Sequence, residues 1–267
     1  MPREVTAFSN TTVKRLRSLR DKKARKAEGL FLAEGLRIIA EARDSGVLPE
    51  IVMFSAEGAR HPLAAEIIAA TESAGGDAIE TTPDILSKTS GKDNAQMLLA
   101  AYRQPETSLE AIDRASAPLW FAAQALRDPG NIGTILRTGD AVGAGGLILI
   151  DDSADPYSVE AVRASMGAIF TQKVAKATWS EFNAWLRSGP GQLIGTSLKA
   201  SKDYLEVEYV PPAFLLIGNE QQGLPEAYEA ECDMLVKIPM AGRADSLNAA
   251  IAAAVMAFQV TASWRSR

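Results

Sequence analysis

From Leu119 onward, short apolar runs alternate with amphipathic stretches, and this alternation limits the possible folds more than any other feature of the chain. The runs at 119–125, 146–150, 172–175, 192–197, 213–217 and 234–239 read as strands, with helices between them and a last long helix from 247 to about 262. Strands that alternate with helices predict a parallel sheet covered on both faces. Open parallel sheets take their ligands beyond the carboxyl ends of the strands, so the loops that follow strands are where chemistry is to be sought.

The residues before this region read as a smaller α/β unit. Phe31 and Leu32 mark a short strand, and Leu36, Ile38, Ile39 and Ala42 the apolar side of a helix that stops at Gly46. A strand at 51–56, helices over 63–76 and 83–91, and a strand near Met97–Tyr102 complete it. The polar stretch QPETSLEAIDRASAP, bracketed by Pro105 and Pro118, reads as a linker.

Charge is divided unevenly. Residues 1–27 hold nine Lys and Arg against Glu4 and Asp21, a local charge of +7 that leaves −12 for the rest of a chain whose net charge is −5. Val13, Leu16 and Leu19 interrupt the basic residues at helical spacing, so this segment reads as a basic amphipathic arm with phosphate as its commonest partner. An acidic total therefore does not exclude a nucleic-acid partner.

Composition removes several chemistries. With only His61 and Cys232 of their kinds, the chain has no internal disulfide, no Cys/His zinc cluster and no metal site to expect. His61, followed by Pro62, reads as an exposed loop residue. Without an apolar run of roughly 20 residues or the apolar core of a signal peptide, a cytoplasmic protein with no membrane contact is expected.

Three post-strand loops carry information. In ALRDPGNIGTILRTGD, Asp128 before Pro129 starts a helix, Gly130 and Gly133 permit close approach to the backbone, and Arg137 lies one turn beyond Gly133. In FLLIGNEQQGLPEAYE, an apolar strand runs into Gly218, Asn219 and the carboxylate of Glu220. In KIPMAGRADSLNAA, Ser246 reads as a helix N-cap, whereas Asn248 is a poor residue inside a first turn unless its amide has a partner. Each loop alone also suits an ordinary strand-to-helix turn. None is a dinucleotide fingerprint, since GAGG at 143–146 precedes a strand, and no P-loop exists around Gly91-Lys92.

Taken in order, N-x-G-x-x-x-R (Asn131, Gly133, Arg137), L-x-x-G-N-E-x-x-G-L (Leu215 to Leu224) and I-P-M-x-G-x-x-x-S-L-N (Ile238 to Asn248) closely resemble the three motifs of the SpoU/TrmH family. These are RNA 2′-O-ribose methyltransferases of the SPOUT superfamily that use S-adenosylmethionine. The resemblance covers residues 118–267, and F-L-A-E-G at Phe31 to Gly35 is similar to the substrate-binding domain many members carry. Gln221 and Gln222 stand where glycine is frequent, and Ala249 where valine is.

The resemblance implies a trefoil-knotted, parallel-sheet methyltransferase domain at 118–267, joined by a linker at 105–117 to an α/β RNA-binding domain at 28–104, with the basic arm at 1–27. It implies a homodimer formed through the C-terminal domain with a shared active site. Cofactor contacts are expected at Thr196, Gly218, Ile238, Met240 and Leu247, and the catalytic set at Arg137, Asn131, Glu220, Ser246 and Asn248. Arg163 resembles a segment near the RNA entrance, and Lys14, Arg15, Arg17, Lys22 and Lys23 of the arm are the expected backbone contacts. Ribosomal RNA is the expected substrate, with transfer RNA methylation or a non-catalytic RNA-binding protein as the alternatives. A guanidinium stays protonated in proteins, so Arg137 is expected to act through charge and geometry rather than as a base.

Overall fold

A computed structural model of the chain describes residues 2–93 and 95–265. The chain divides into two units, residues 1–105 with 157–171, and residues 106–156 with 172–267.

The first unit is built from β1 (Arg3–Val5), α1 (Thr11–Ser18), α2 (Lys22–Glu28), β2 (Leu30–Glu34), α3 (Leu36–Asp44), β3 (Ile51–Ser55), α4 (Pro62–Ser73), β4 (Asp77–Thr81), α5 (Pro83–Ser90) and β5 (Leu98–Arg103). The five strands form one mixed sheet in the order β1-β4-β3-β5-β2. β1, β4 and β3 pair in parallel, and β5 runs antiparallel to both β3 and β2. The predicted strands and helices of this half are present, but β1 and β4 were not anticipated. β4 reads DAIET, too short and too polar at its ends to stand out.

The basic residues near the N-terminus are not a detachable arm. Asn10 caps α1 and Asp21 caps α2, so the expected single helix is two, broken at Leu19–Asp21. Val13, Leu16 and Leu19 are buried beside Ile79, Ile85, Leu86 and Leu99. Arg25, counted among the basic residues, is buried, and its guanidinium donates to the carbonyls of Leu19 and Arg20, each at 2.8 Å.

The second unit opens with β6 (Leu119–Gln124), α6 (Pro129–Val142) and β7 (Gly146–Ile150). The chain then passes into the first unit, where α7 (Val159–Ser165) and the turn after it pack. Aromatic contacts pin this excursion at both ends: Tyr157 lies 5.0 Å from Phe31 and Phe170 4.6 Å from Tyr102, ring centre to ring centre. The continuous block expected at 118–267 is therefore interrupted. Its return gives β8 (Lys173–Ala177), α8 (Trp179–Arg187), β9 (Gln192–Thr196), β10 (Lys202–Asp203), β11 (Ala213–Ile217), α9 (Glu226–Glu229), β12 (Met234–Lys237) and α10 (Ala249–Arg265).

All seven strands are parallel, in the order β10-β12-β9-β11-β6-β7-β8. The six predicted strands are here, and two-residue β10 is the addition. β6 and β11 are almost wholly buried, as a doubly covered sheet requires. From β6 the chain builds outward to β8, crosses back to β9, and only then inserts β11 between β9 and β6. The loops after β6 and β11 thus become neighbours where the direction of winding reverses, the position at which open sheets form ligand crevices. The expected linker is also more than a tether. Leu109 and Ile112 are buried, and the Arg114 guanidinium donates to the Leu186 and Trp185 carbonyls at 3.0 and 2.6 Å, closing the end of α8.

Candidate active site

The three informative loops follow β6, β11 and β12 of the second unit, and one side chain joins them. Asp128 caps α6 by accepting from the Gly130 amide at 2.8 Å, which places Asn131 on the inner side of the first turn, 6% exposed. Asn131 Nδ2 donates to Glu220 Oε1 at 2.9 Å, and Asn131 Oδ1 accepts from Asn248 Nδ2 at 3.0 Å. Residues 89 and 117 positions apart in sequence are thereby held on one amide. Each such bond contributes only about 1 kcal/mol, but together they set the geometry of all three loops.

Asn248 has a second task. Its Oδ1 accepts from the amides of Ala250 and Ile251 at 2.9 and 3.2 Å, so Asn248, and not Ser246, caps α10. The awkward asparagine is explained by this pairing, since both ends of its amide are used. Ser246 lies two residues earlier, is exposed, and donates to Asp245 Oδ1 at 3.2 Å.

The loop after β11 closes on itself. Asn219 and Gly223 exchange backbone hydrogen bonds of 3.2 and 2.9 Å, and Asn219 Oδ1 accepts from the Gln221 amide at 2.9 Å. Asn219 Nδ2 reaches across to the carbonyl of Ala125, at 2.8 Å, where Ala125 holds the left-handed conformation at φ 48°. Gly218 is required by close approach, because a Cβ there would lie 2.4 Å from the carbonyl carbon of Gly223. The sequence drew attention to Glu220 in this turn but gave no role to Asn219, whose work depends on a partner in another loop.

This loop is the wall between two clefts. One, of about 340 Å³, is lined by Thr196, Gly218, Ile238, Met240, Ser246 and Leu247 together with Glu220. All five expected cofactor residues thus face one space. The other, of about 940 Å³, is lined by Asn131, Glu220 and Asn248, with Gln124, Arg127, Lys199 and Gln222. Both lie in the size range of small-molecule sites. The smaller cleft joins apolar walls to loop backbone, a setting that suits a ligand with both a flat apolar part and polar ends.

Arg137 lines neither cleft. It is exposed on α6, six residues past Asn131 and so about 240° around the helix from it. Lys14, Arg15, Arg17, Lys22 and Lys23 are exposed on α1 and α2 of the first unit, with Arg15 paired to Glu28 at 2.8 Å. Arg163, on α7, lies 3.6 Å from the buried Glu34 carboxylate. His61 is exposed at the start of α4. Burial pushes the Cys232 thiol up to about 12, with neighbouring acidic charges adding to the effect, so it is protonated at neutral pH. Among the described residues, no group of three or more His, Cys, Asp and Glu is placed to hold a metal ion.

A reversing parallel sheet, a cleft of small-molecule size at its crevice and an amide network tying three post-strand loops mark an α/β domain built to bind a ligand at these loops. Residues 118–258 match the SpoU rRNA Methylase family, and residues 10–100 match the MRM3-like substrate binding domain. The chain belongs to the SpoU rRNA methylase family. It is 32% identical over 247 residues to the 23S rRNA (uridine(2479)-2'-O)-methyltransferase of Streptomyces viridochromogenes, covering 90% of this chain and 84% of that protein. It is 28% identical to the 23S rRNA (guanosine(2553)-2'-O)-methyltransferase of Bacillus subtilis, covering 97% and 99%. Among solved structures, an AdoMet-bound rRNA methyltransferase from Sinorhizobium meliloti superposes with a TM-score of 0.90 at 38% identity, covering 98% of each chain.

Proposed function

We propose that this protein transfers the methyl group of S-adenosylmethionine to a ribose 2′-hydroxyl of ribosomal RNA. The observation that carries this reading is the bond from Glu220 through Asn131 to Asn248, which assembles the motif residues beside a cleft lined by the expected cofactor contacts. The names of the two relatives favour ribosomal over transfer RNA.

Thr196, Gly218, Ile238, Met240 and Leu247 hold the cofactor, which supplies a methyl group already activated as a sulfonium. The chain's own task is to bring a ribose oxygen into line and to manage its proton. Asn131 keeps Glu220 and Asn248 in fixed positions at the cleft mouth, and Ser246 stands beside them. Arg137, always protonated, holds an RNA phosphate and stabilises charge developing on the ribose oxygen, while the proton leaves to phosphate or water.

Arg137 is exposed and outside both clefts of its own chain, so it serves the site of a second copy. Ile251 and Phe258, 52% and 46% exposed on α10, provide apolar surface for that homodimer. In mixed dimers of Arg137→Ala and Asn248→Ala chains, one intact site re-forms and activity returns above that of either variant alone; no recovery in demonstrated mixed dimers refutes sharing. The family's trefoil knot belongs to the same reading, with α10 packed on α6 and β11 as its closing element. Among the described residues, no helix is long and apolar enough to cross a membrane. Action on ribosomal RNA supports a cytoplasmic location.

The deciding experiment is incubation with tritiated S-adenosylmethionine and ribosomal RNA from cells lacking this protein, followed by mapping of the labelled ribose. Label at one 2′-oxygen of ribosomal RNA is expected. Label confined to transfer RNA would redirect the substrate, and cofactor binding with no label in any RNA would leave a non-catalytic RNA-binding protein.

A further inference from the structure

Among the described residues, the wider cleft, of about 940 Å³, has two cationic side chains in its lining, Arg127 and Lys199, and both are engaged with carboxylates. Arg127 donates to Asp152 at 2.5 Å, and Lys199 Nζ lies 2.9 Å from Glu226. These pairs are open to solvent: the Arg127 and Asp152 side chains are 63% and 78% exposed, and those of Lys199 and Glu226 72% and 86%. The pairing holds Lys199 above and Glu226 below their ordinary pKa values, chiefly through their shared hydrogen bond. Exposed ion pairs of this kind are weak and exchange easily for a better anion.

Their placement is set by the sheet. Lys199 follows β9 and Arg127 follows β6, and in the sheet these strands flank β11, whose loop separates the two clefts. Strand neighbours are about 4.8 Å apart, so the strands that carry the two cations stand about 10 Å apart, enough to bracket one nucleotide between two phosphates. The remaining charges of the lining, Asp128, Glu220 and Glu226, are acidic, and two of them are committed elsewhere: Asp128 caps α6 and Glu220 is bonded to Asn131. Within this chain's lining of the cleft, these two cations are the groups that favour a polyanion.

We propose that Arg127 and Lys199 form a two-point clamp on the RNA backbone at either side of the target nucleotide, each held on a surface carboxylate until a phosphate displaces it. This rests on the RNA methylation reading above. Arg127 can grip a phosphate with two parallel hydrogen bonds, whereas Lys199 acts as a point charge. The acids keep both side chains near the cleft mouth, so the resting site carries no uncompensated positive field.

The test uses a labelled ribosomal RNA fragment that the wild-type protein methylates, with binding measured across a range of salt and S-adenosylmethionine affinity measured in parallel. Arg127→Ala and Lys199→Ala should each lower the slope of log affinity against log salt by about 0.7, the loss of one contact to a single strand. Asp152→Asn and Glu226→Gln should tighten RNA binding, and that gain should vanish when combined with Arg127→Ala and Lys199→Ala respectively. Unchanged slopes in both alanine variants overturn the clamp, as does tightening that persists without the partner cation. A Lys199→Ala protein that loses only cofactor affinity assigns Lys199 to the smaller cleft and also overturns it. If wild-type protein methylates the fragment while these effects are absent, the methylation reading stands and the clamp falls; if it binds and methylates no RNA, both fall.

Discussion

The two units handle buried polar groups in opposite ways. The second unit joins its loops through Asn131, a neutral amide that gives one hydrogen bond and takes another. The first unit buries a carboxylate, Glu34, which accepts from the Gln96 amide at 3.1 Å and sits 2.6 Å from Lys92 Nζ, while its helices α1 and α2 carry exposed cations, Lys14, Arg17, Lys22 and Lys23 among them. A neutral amide is directional and adds no net field, so it fixes geometry without competing with a charged ligand. Charge acts at a distance and tolerates imprecise geometry. On the function proposed above, the second unit is the one suited to chemistry and the first the one suited to capture of a polyanion.

The comparison breaks most severely if the first unit's basic helices are dispensable. Val13, Leu16 and Leu19 are fully buried, and burying each such side chain contributes about 1.5–3 kcal/mol. Their sum approaches the whole stability of a domain, about 5–15 kcal/mol, and deletion would also remove β1 from its pairing with β4. Deleting residues 1–27 should therefore abolish the folding of the first unit, seen as rapid proteolysis over residues 28–105 and loss of part of the calorimetric transition. A truncated protein with an intact transition would restore the idea of a detachable arm.

Asn131→Ala tests the other side of the comparison. Two hydrogen bonds are lost, but Glu220 and Asn248 both border the cleft and can be rehydrated, so stability should fall by only about 1–3 kcal/mol. Loss of position should cost more than loss of stability: displacement of catalytic groups by about 1 Å can reduce turnover by about 10²-fold. Steady-state kinetics at saturating RNA and cofactor should show this fall in kcat, in protein that still unfolds cooperatively. Turnover within twofold of wild type would mean that the three loops do not need the shared amide.

The sequence was informative where one element explains itself. Every strand of the large sheet except β10 is marked by its own apolar run, most clearly β6 and β11, where a doubly buried strand shows no other pattern. The three loops could be located for the same reason, each standing at the end of such a strand. What remained hidden depends on partners distant in sequence. Asn131 stands out as a motif residue, but its work as the amide that joins the loops depends on β11 being inserted next to β6, which brings Glu220 to it. Arg25 reads as one more surface charge until the chain turns at Leu19 and offers two carbonyls. Leu109 and Ile112 read as parts of a linker because two apolar residues among many polar ones give no periodicity, yet both are buried. The excursion of residues 157–171 into the first unit has a local sign only in Tyr157 and Phe170, aromatic residues whose partners Phe31 and Tyr102 lie more than fifty positions away.

The smallest expected effect sharpens the comparison most cleanly, because it separates capture from folding. Lys22 and Lys23 are exposed in the first turn of α2, directly after its cap Asp21. Acidic residues at that end of a helix interact favourably with the helix dipole, so Lys22→Glu with Lys23→Glu should leave α2 intact. If both lysines contact phosphates, the salt slope of RNA binding should fall by about 1.4 for a single strand or 1.8 for a duplex. The affinity of the smaller cleft for S-adenosylmethionine should not change, since it is formed by residues of the second unit. Equal slopes for variant and wild type, in protein with an unaltered melting profile, would remove these lysines from the RNA contact and leave capture to other cations of α1 and α2.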